Sequence, residues 1–277
     1  MPGFRSFFLL SGLLLAAGCS KGALPPTGAA PGLPGGPGTD VISAFSLAGH
    51  TDAGRKKWEV QGETADLMNE IVDLSPMRAK SFGQVEIRLS AQKGRFNKAT
   101  HDVHLEGDVV VVTSDGAELT TQSLNWVQAR EEGSTEDWVR VNRPGMIALG
   151  LGGTGYPKLK RVWLEKRVTV TLEDLKGKTV VTCNGPMEVD YGRNKARFWN
   201  RVKVVDSQGV IRSDRLDVSF DPKTHRMDQA VFWGHVVIDH GEQKAHANRV
   251  NYWQPLGRIQ MAGHPRLLLT ADSLNAE

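Results

Sequence analysis

The chain has little of what most functional classes need. Of its 277 residues only two are cysteine. These are Cys19, at an expected processing and modification site, and Cys183, so the mature chain has neither a disulfide framework nor a cysteine-based zinc site of its own. The formal net charge is only +3, with no dense Lys/Arg run, so nucleic acid is not an expected partner. No window carries a sustained helical period. There is no G-x-S-x-G, no H-E-x-x-H and no glycine-rich phosphate loop opening a helix, so neither an enzyme nor a cofactor site is expected. His101 and His104, and the scattered His235, His240 and His246, lack accompanying carboxylates at metal-site spacing. Strand alternation also sends positions i and i+3 to opposite faces, and no metal is expected.

The N-terminus reads as an export signal. Arg5 is the positive n-region, and Phe7 to Ala17 is an apolar run too short to span a bilayer comfortably. Ala16-Ala17-Gly18-Cys19 resembles the lipobox of bacterial lipoproteins, with alanine where leucine is preferred. The expectation is a signal peptide over 1–18 and lipid attachment at Cys19; the alternative is a soluble secreted protein cut nearby. Residues 19–40 are Gly, Pro, Ala and Thr with almost nothing to bury, a disordered tether.

From Val41 the composition changes to short alternating segments separated by turn signals, the pattern of an all-β chain. One unit recurs. Leu105 to Thr121 reads as a hairpin, with Val109 to Val112 fit for a buried pleated surface, Asp115-Gly116 for the turn, and Leu119 to Thr121 for the return. Copies begin at Phe198 (F-W-N-R-V) and Phe232 (F-W-G-H-V), and a truncated one at Met261 (M-A-G-H-P). A period of roughly thirty residues means one supersecondary unit per repeat, stacked on its neighbours. Leu105, Phe198, Phe232 and Met261 share one register and are expected on one internal face. Glu131 to Ser134 reads as an exposed loop, Gly150 to Gly155 as a sharp change of direction, and Arg161 to Leu172 as a long strand. Lys176-Gly177-Lys178 is the expected seam between two lobes, 41–175 and 176–277.

With these residues on the page, a resemblance can be stated. Phe45 with Leu47, the D-A-G turn, Trp58-Glu59-Val60, Leu89-Ser90-Ala91, Gly94-Arg95-Phe96, L-E-G-D-V and G-A-E-L-T-T resemble the LptC family, the inner-membrane component of the lipopolysaccharide export bridge. The segment from about Cys183 to Leu269 is similar to the LptA/OstA-like periplasmic domain, through G-P-M-E-V-D-Y, N-R-V-K-V, S-D-R-L-D-V, W-G-H-V and A-G-H-P. The resemblance implies an open, slit-like β-jellyroll of stacked antiparallel hairpins, holding acyl chains of lipopolysaccharide inside and pairing its terminal strands with the next jellyroll. It also implies three partners: lipopolysaccharide, the inner-membrane ABC transporter complex of the export system and an LptA-like periplasmic bridge protein. A lipobox replaces the transmembrane helix of a typical LptC, and a second lobe follows the first. The expected location is the periplasm, lipid-anchored, with the inner membrane favoured.

A stack of paired strands has an apolar groove along its length and an unpaired edge at each end, and an unpaired edge is a template for strand addition. The groove candidates are Phe45, Leu47, Trp58, Val60, Leu67, Leu105, Val109, Val111, Leu124, Trp126, Phe198, Phe232 and Tyr252; each could equally be closed core. The edge candidates are Leu267, Leu268 and Leu269, which follow Pro265 and carry no charge. Arg193, Lys195, Arg197, Arg201 and Lys203 form a strip for lipid phosphates or a solvated face. Trp199 and Trp233 share a register and are expected to stack on each other across strands, and Cys183 reads as a buried thiol. Two other classes stay open: an envelope lipoprotein that scaffolds a complex by strand addition without carrying lipid, and a β-solenoid enzyme acting on polysaccharide.

Overall fold

Alternating β-branched and aromatic residues, interrupted by Gly and Asx turns, leave the backbone one regular option. The computed structural model takes it throughout, describing residues 41–50, 53–66, 70–82, 86–114, 116–156, 159–174, 177–224, 226–241 and 243–268. In chain order the strands are β1 (Val41–His50), β2 (Lys56–Asp66), β3 (Ile71–Ser81), β4 (Ile87–Ala91), β5 (Lys93–Asn97), β6 (Val103–Thr113), β7 (Glu118–Val127), β8 (Glu132–Arg143) and β9 (Met146–Tyr156). They continue with β10 (Arg161–Asp174), β11 (Gly177–Cys183), β12 (Met187–Asp190), β13 (Lys195–Val205), β14 (Val210–Phe220), β15 (Met227–His240), β16 (Gln243–Trp253), β17 (Arg258–Ala262) and β18 (Arg266–Leu268). No helix occurs among the described residues.

Each layer pairs antiparallel with the next, so the chain is one meandering sheet. Three layers are made of two short strands end to end. β4 and β5 share the place between β3 and β6, β11 and β12 that between β10 and β13, and β17 and β18 both lie on β16. These are the stacked hairpins expected from the repeats, in the open β-jellyroll arrangement that the resemblance implies.

The recurring Gly or Asn of the repeats bends each layer. Gly107-Asp108, Asn200-Arg201, Gly234-His235 and Gly263-His264 are each two consecutive residues with positive φ. A left-handed non-glycine residue costs roughly 1–2 kcal/mol, so the position is held by its neighbours. A Cβ on Gly107 would stand 2.6 Å from Gln92 Oε1, and one on Gly234 2.2 Å from Asp214 Oδ2. The same neighbours bond the bend: Gln92 Nε2 donates to Asp108 Oδ2 at 2.7 Å and His235 Nδ1 lies 2.8 Å from Asp214 Oδ2.

Each such pair inserts one extra residue against the facing strand. Leu105 and Val109 pair with Leu124 and Thr121, Phe198 and Val202 with Leu216 and Ser213, and Trp233 and Val236 with Arg249 and Ala247. Inward positions therefore keep their parity along β6 and β13 but change it along β7 and β14.

Burial is deepest beside the bend. Val109, Val168, Val202, Val236 and Val250 are the most enclosed large side chains. Toward the strand ends the inward residues become only partly buried, at Val204, Ile211 and Ile238 on one half of the layers and at Phe220, Met227 and Tyr252 on the other. Residues of both halves belong to one apolar cluster, from Val139 to Val250, and a smaller cluster joins Val72, Leu74, Met77, Ala79, Ala91, Leu105 and Val109. Each layer is thus two leaves meeting at a closed bend and opening at the tips.

Two expectations about connections are corrected. Glu132 to Ser134 are not loop but the first residues of β8, the turn being 128–131. The glycines from Gly150 to Gly155 are not a connection between strands; they lie inside β9, at its bend, with Gly152 at φ +74° beside the register shifts against β8 and β10. A Cβ on Gly150 would meet Leu164 at 3.0 Å and one on Gly153 would meet Val139 at 3.2 Å. Small residues are needed there because larger inward side chains occupy the space. Arg161 to Leu172 is one strand, as its alternation implied.

Candidate functional site

The inner faces of successive layers line up into one apolar surface along the sheet. Among the groove candidates, Trp58, Leu105, Val109, Val111, Phe198 and Phe232 are buried. Val60, Leu124, Trp126 and Tyr252 are partly buried nearer the layer ends. In register, Leu47 stands opposite Val60 and Phe45 opposite Gly62; Leu67 and Leu269 lie outside the described residues, as does Cys19. Val60 and Leu124 pack against the smaller cluster and Tyr252 against the larger. The structure therefore brings Val60, Leu105, Val109 and Leu124 together in one apolar cluster and Phe198, Phe232 and Tyr252 in another, buried beside the bend and partly exposed toward the rim.

Met261 departs from its register partners. It is 36% exposed where Leu105, Phe198 and Phe232 are buried, because no strand among the described residues stacks beyond β17. The same position leaves Leu267 60% and Leu268 54% exposed in β18, which pairs only with Lys244–His246 of β16 among the described residues. The edge is apolar, has no strand paired on its outer side among the described residues, and is flanked by exposed Ile259.

The outer face carries the polar features. Glu188 and Asp190 are buried carboxylates of β12, held by arginines: Arg197 Nη1 to Glu188 Oε2 at 3.0 Å, Arg161 Nε to Asp190 Oδ2 at 3.2 Å, and Arg193 Nε to the same oxygen at 3.8 Å. Arg193 and Arg197 of the basic strip are thus engaged in neutralising carboxylates. Trp199 and Trp233 do not stack on each other, because β14 lies between their strands and places Arg215 in register with both. Trp199 instead stacks on Trp163, at 5.8 Å between centroids and 10° between planes, with the Arg215 guanidinium 5.6 Å from its ring. Arg249 covers Trp233 at 4.2 Å. The alternating Trp and Arg were separately visible in the sequence, but their shared row required the register.

His104 bonds Glu106 Oε1 through Nε2 at 2.7 Å and also contacts Asn125. Those bonds, that to Glu106 foremost, raise its pKa above the ordinary histidine value. No group of side chains among the described residues could hold a metal ion. Cys183 is buried in the large cluster, and burial raises its thiol pKa.

The fold defines a class: an apolar-lined, open-ended β-jellyroll. Two family models match in series, a lipopolysaccharide-assembly, LptC-related family over residues 71–173 and an LptA/(LptD N-terminal domain) LPS transport protein family over 186–277. The chain is an LptC-like protein with a fused LptA-like domain. None of the curated proteins matches it significantly. Both families place it in lipopolysaccharide transport, among periplasmic bridge proteins and not among enzymes. No helix among the described residues is long and apolar enough to cross a membrane.

Proposed function

We propose that the chain is a membrane-anchored segment of the lipopolysaccharide export bridge that carries lipid acyl chains in the slit between its leaves. The observation that carries this reading is the burial gradient, closed at the bend and open at the rim, repeated in register from layer to layer. An acyl chain needs only a continuous apolar lining, and the partly buried rim residues Val60, Leu124, Trp126 and Tyr252 would be its first contacts. The exposed edge of β17 and β18 is the docking surface for the next jellyroll, with Leu267 to Leu269 as the added strand's neighbours. Residues 41–175 and 176–277 are the two functional units. Lipid at Cys19 and the tether over 19–40 hold them to a membrane, the inner membrane favoured, beside the transporter complex.

The test is a photo-crosslinking residue at Leu124, on the rim, with Trp138 on the outer face as control. A lipopolysaccharide adduct at Leu124 and none at Trp138 is the expected result. Adducts at neither position, with the protein assembled on its partners, would leave the scaffold reading instead.

A further inference from the structure

All but one of the described tryptophans are buried or have an internal partner. Trp58 is buried, Trp126 donates its Nε1–H to Gln128 Oε1 at 3.0 Å, Trp163 and Trp199 stack, and arginines cover Trp199, Trp233 and Trp253. Trp138 is 44% exposed on the outer face of β8, with no ring, guanidinium or hydrogen-bond partner among the described residues. It forms one wall of a depression of about 260 Å³ whose other walls include Asp108, Thr120, Gln122 and Arg140. These positions sit on β6, β7 and β8 just beyond the bend, where the inserted residue in β6 opens the outer surface. Arg140 has no carboxylate in ion-pair range among the described residues.

We propose that this depression is a saccharide subsite, with a pyranose ring laid against Trp138 and its hydroxyls bonded at the rim. The chemistry selects among ligands. An acyl chain would leave the donors of Arg140 without partners. A phosphate or polyanion would meet the Asp108 carboxylate, which Gln92 and Gln122 already orient at 2.7 and 3.4 Å. A sugar ring has an apolar C–H face for the indole and a rim of groups that both donate and accept. Asp108 retains acceptor capacity, Gln122 supplies an acceptor and Arg140 supplies donors. The volume lies below the ~300–1,000 Å³ of pockets that enclose drug-sized ligands, so it fits one ring. Strands on three sides hold the side chains in place, the arrangement a preorganised site needs.

The source is a glycan strand of the cell wall, a polymer of N-acetylhexosamines, and not the head group of the transported lipid. The depression lies outside the bend, on the far side of the sheet from the rim where a lipid held in the slit would emerge. The assignment takes from the proposed function only the periplasmic compartment; of the lining residues only Val109, which is fully buried, is also a slit candidate.

The experiment is calorimetric titration of the full chain with two soluble probes, an N-acetylglucosamine tetramer and the lipid-free oligosaccharide of lipopolysaccharide. The tetramer is expected to bind saturably, and Trp138→Ala to weaken it by about tenfold or more. Trp138→Phe should retain most of the binding, Arg140→Gln should weaken it less than Trp138→Ala, and Trp233→Ala should leave it unchanged. Failure of the tetramer to bind, equal binding by Trp138→Ala, or binding of the lipid-free oligosaccharide alone overturns the proposal. Should Trp138→Ala not fold, unchanged binding by Arg140→Gln overturns it in its place.

Discussion

The two matched regions solve the same packing problem with different outer faces. In the LptA-like region the outward tryptophans are covered by arginines, and the buried carboxylates Glu188 and Asp190 are saturated by Arg161, Arg193 and Arg197. In the LptC-like region the corresponding surface is open: Trp138 is uncovered and Arg140 lies in no ion pair among the described residues. A face satisfied from within its own sheet has little left to offer a ligand. An aromatic and a cation left without internal partners have their full binding capacity available. The inner faces differ as well, the larger cluster running from Val139 to Val250 and the smaller being confined to residues between Val72 and Val109.

The strongest way to break this comparison acts on the larger cluster. Phe232→Asp puts a charge among Leu216, Val250 and their neighbours, where the effective penalty is several kcal/mol. The thermal transition of the C-terminal region should collapse; an unchanged transition would mean that the face is not core. Next comes the edge. Leu267→Pro and Leu268→Pro remove adjacent backbone donors, one of which points away from β16. The outward one should abolish recovery of the bridge partner while circular dichroism stays that of the folded protein, and undiminished recovery with both would remove the edge from the interface.

A smaller effect sharpens the contrast of the outer faces. Trp233→Ala should lower stability by about 0.5–1 kcal/mol more than its lost area accounts for, because Arg249 loses its ring. Trp138→Ala should cost no such increment, and equal losses in denaturant titrations would contradict the distinction. The smallest expected effect is that of His104. Its pKa is raised in the folded state by Glu106 and then Asn125, so its contribution is complete below the ordinary histidine value and is lost as pH rises through the raised one. The side chain is about a third exposed, which keeps the effect slight. His104→Gln should flatten that part of the stability profile and, because the same bond is what lowers the Glu106 pKa, should also change its acidic part slightly.

Much of the fold was legible because strand alternation is a local property. Val109, Val111, Phe198 and Phe232 are inward as their alternation implied, and a hairpin turn falls around Ser207-Gln208-Gly209; Asp115 of the other expected turn lies outside the described residues. What was not legible is the bend. β3 faces Val72 and Leu74 inward and then Met77 and Ala79, changing parity across Ser75-Pro76, so a period-two reading loses the strand halfway. Proline there also argues against an interior strand by the usual rule. The exposure of Met261 and the separation of Trp199 from Trp233 by Arg215 were hidden for a different reason. Both depend on which layers stand beside them, and a single repeat does not contain its neighbours.

The bend also acts as a gauge for length. Within β13 to β16, layers that step four residues between inward positions across the bend alternate with layers that step three, as Phe198 and Val202 against Leu216 and Ser213, then Phe232 and Val236 against Val250 and Ala247. A shortened or extended version of this protein should therefore tolerate the loss or duplication of a whole hairpin, which restores both strand direction and step. A single strand would restore neither. One interruption of that rhythm lies where β10, the β11–β12 layer and β13 all take the longer step, with Leu164 and Val168 facing Met187 and Cys183. It falls between the two matched families, and a second lies at β2, β3 and the β4–β5 layer, which all take the shorter step, so the layers beside these two places are where a hairpin deletion should be least tolerated.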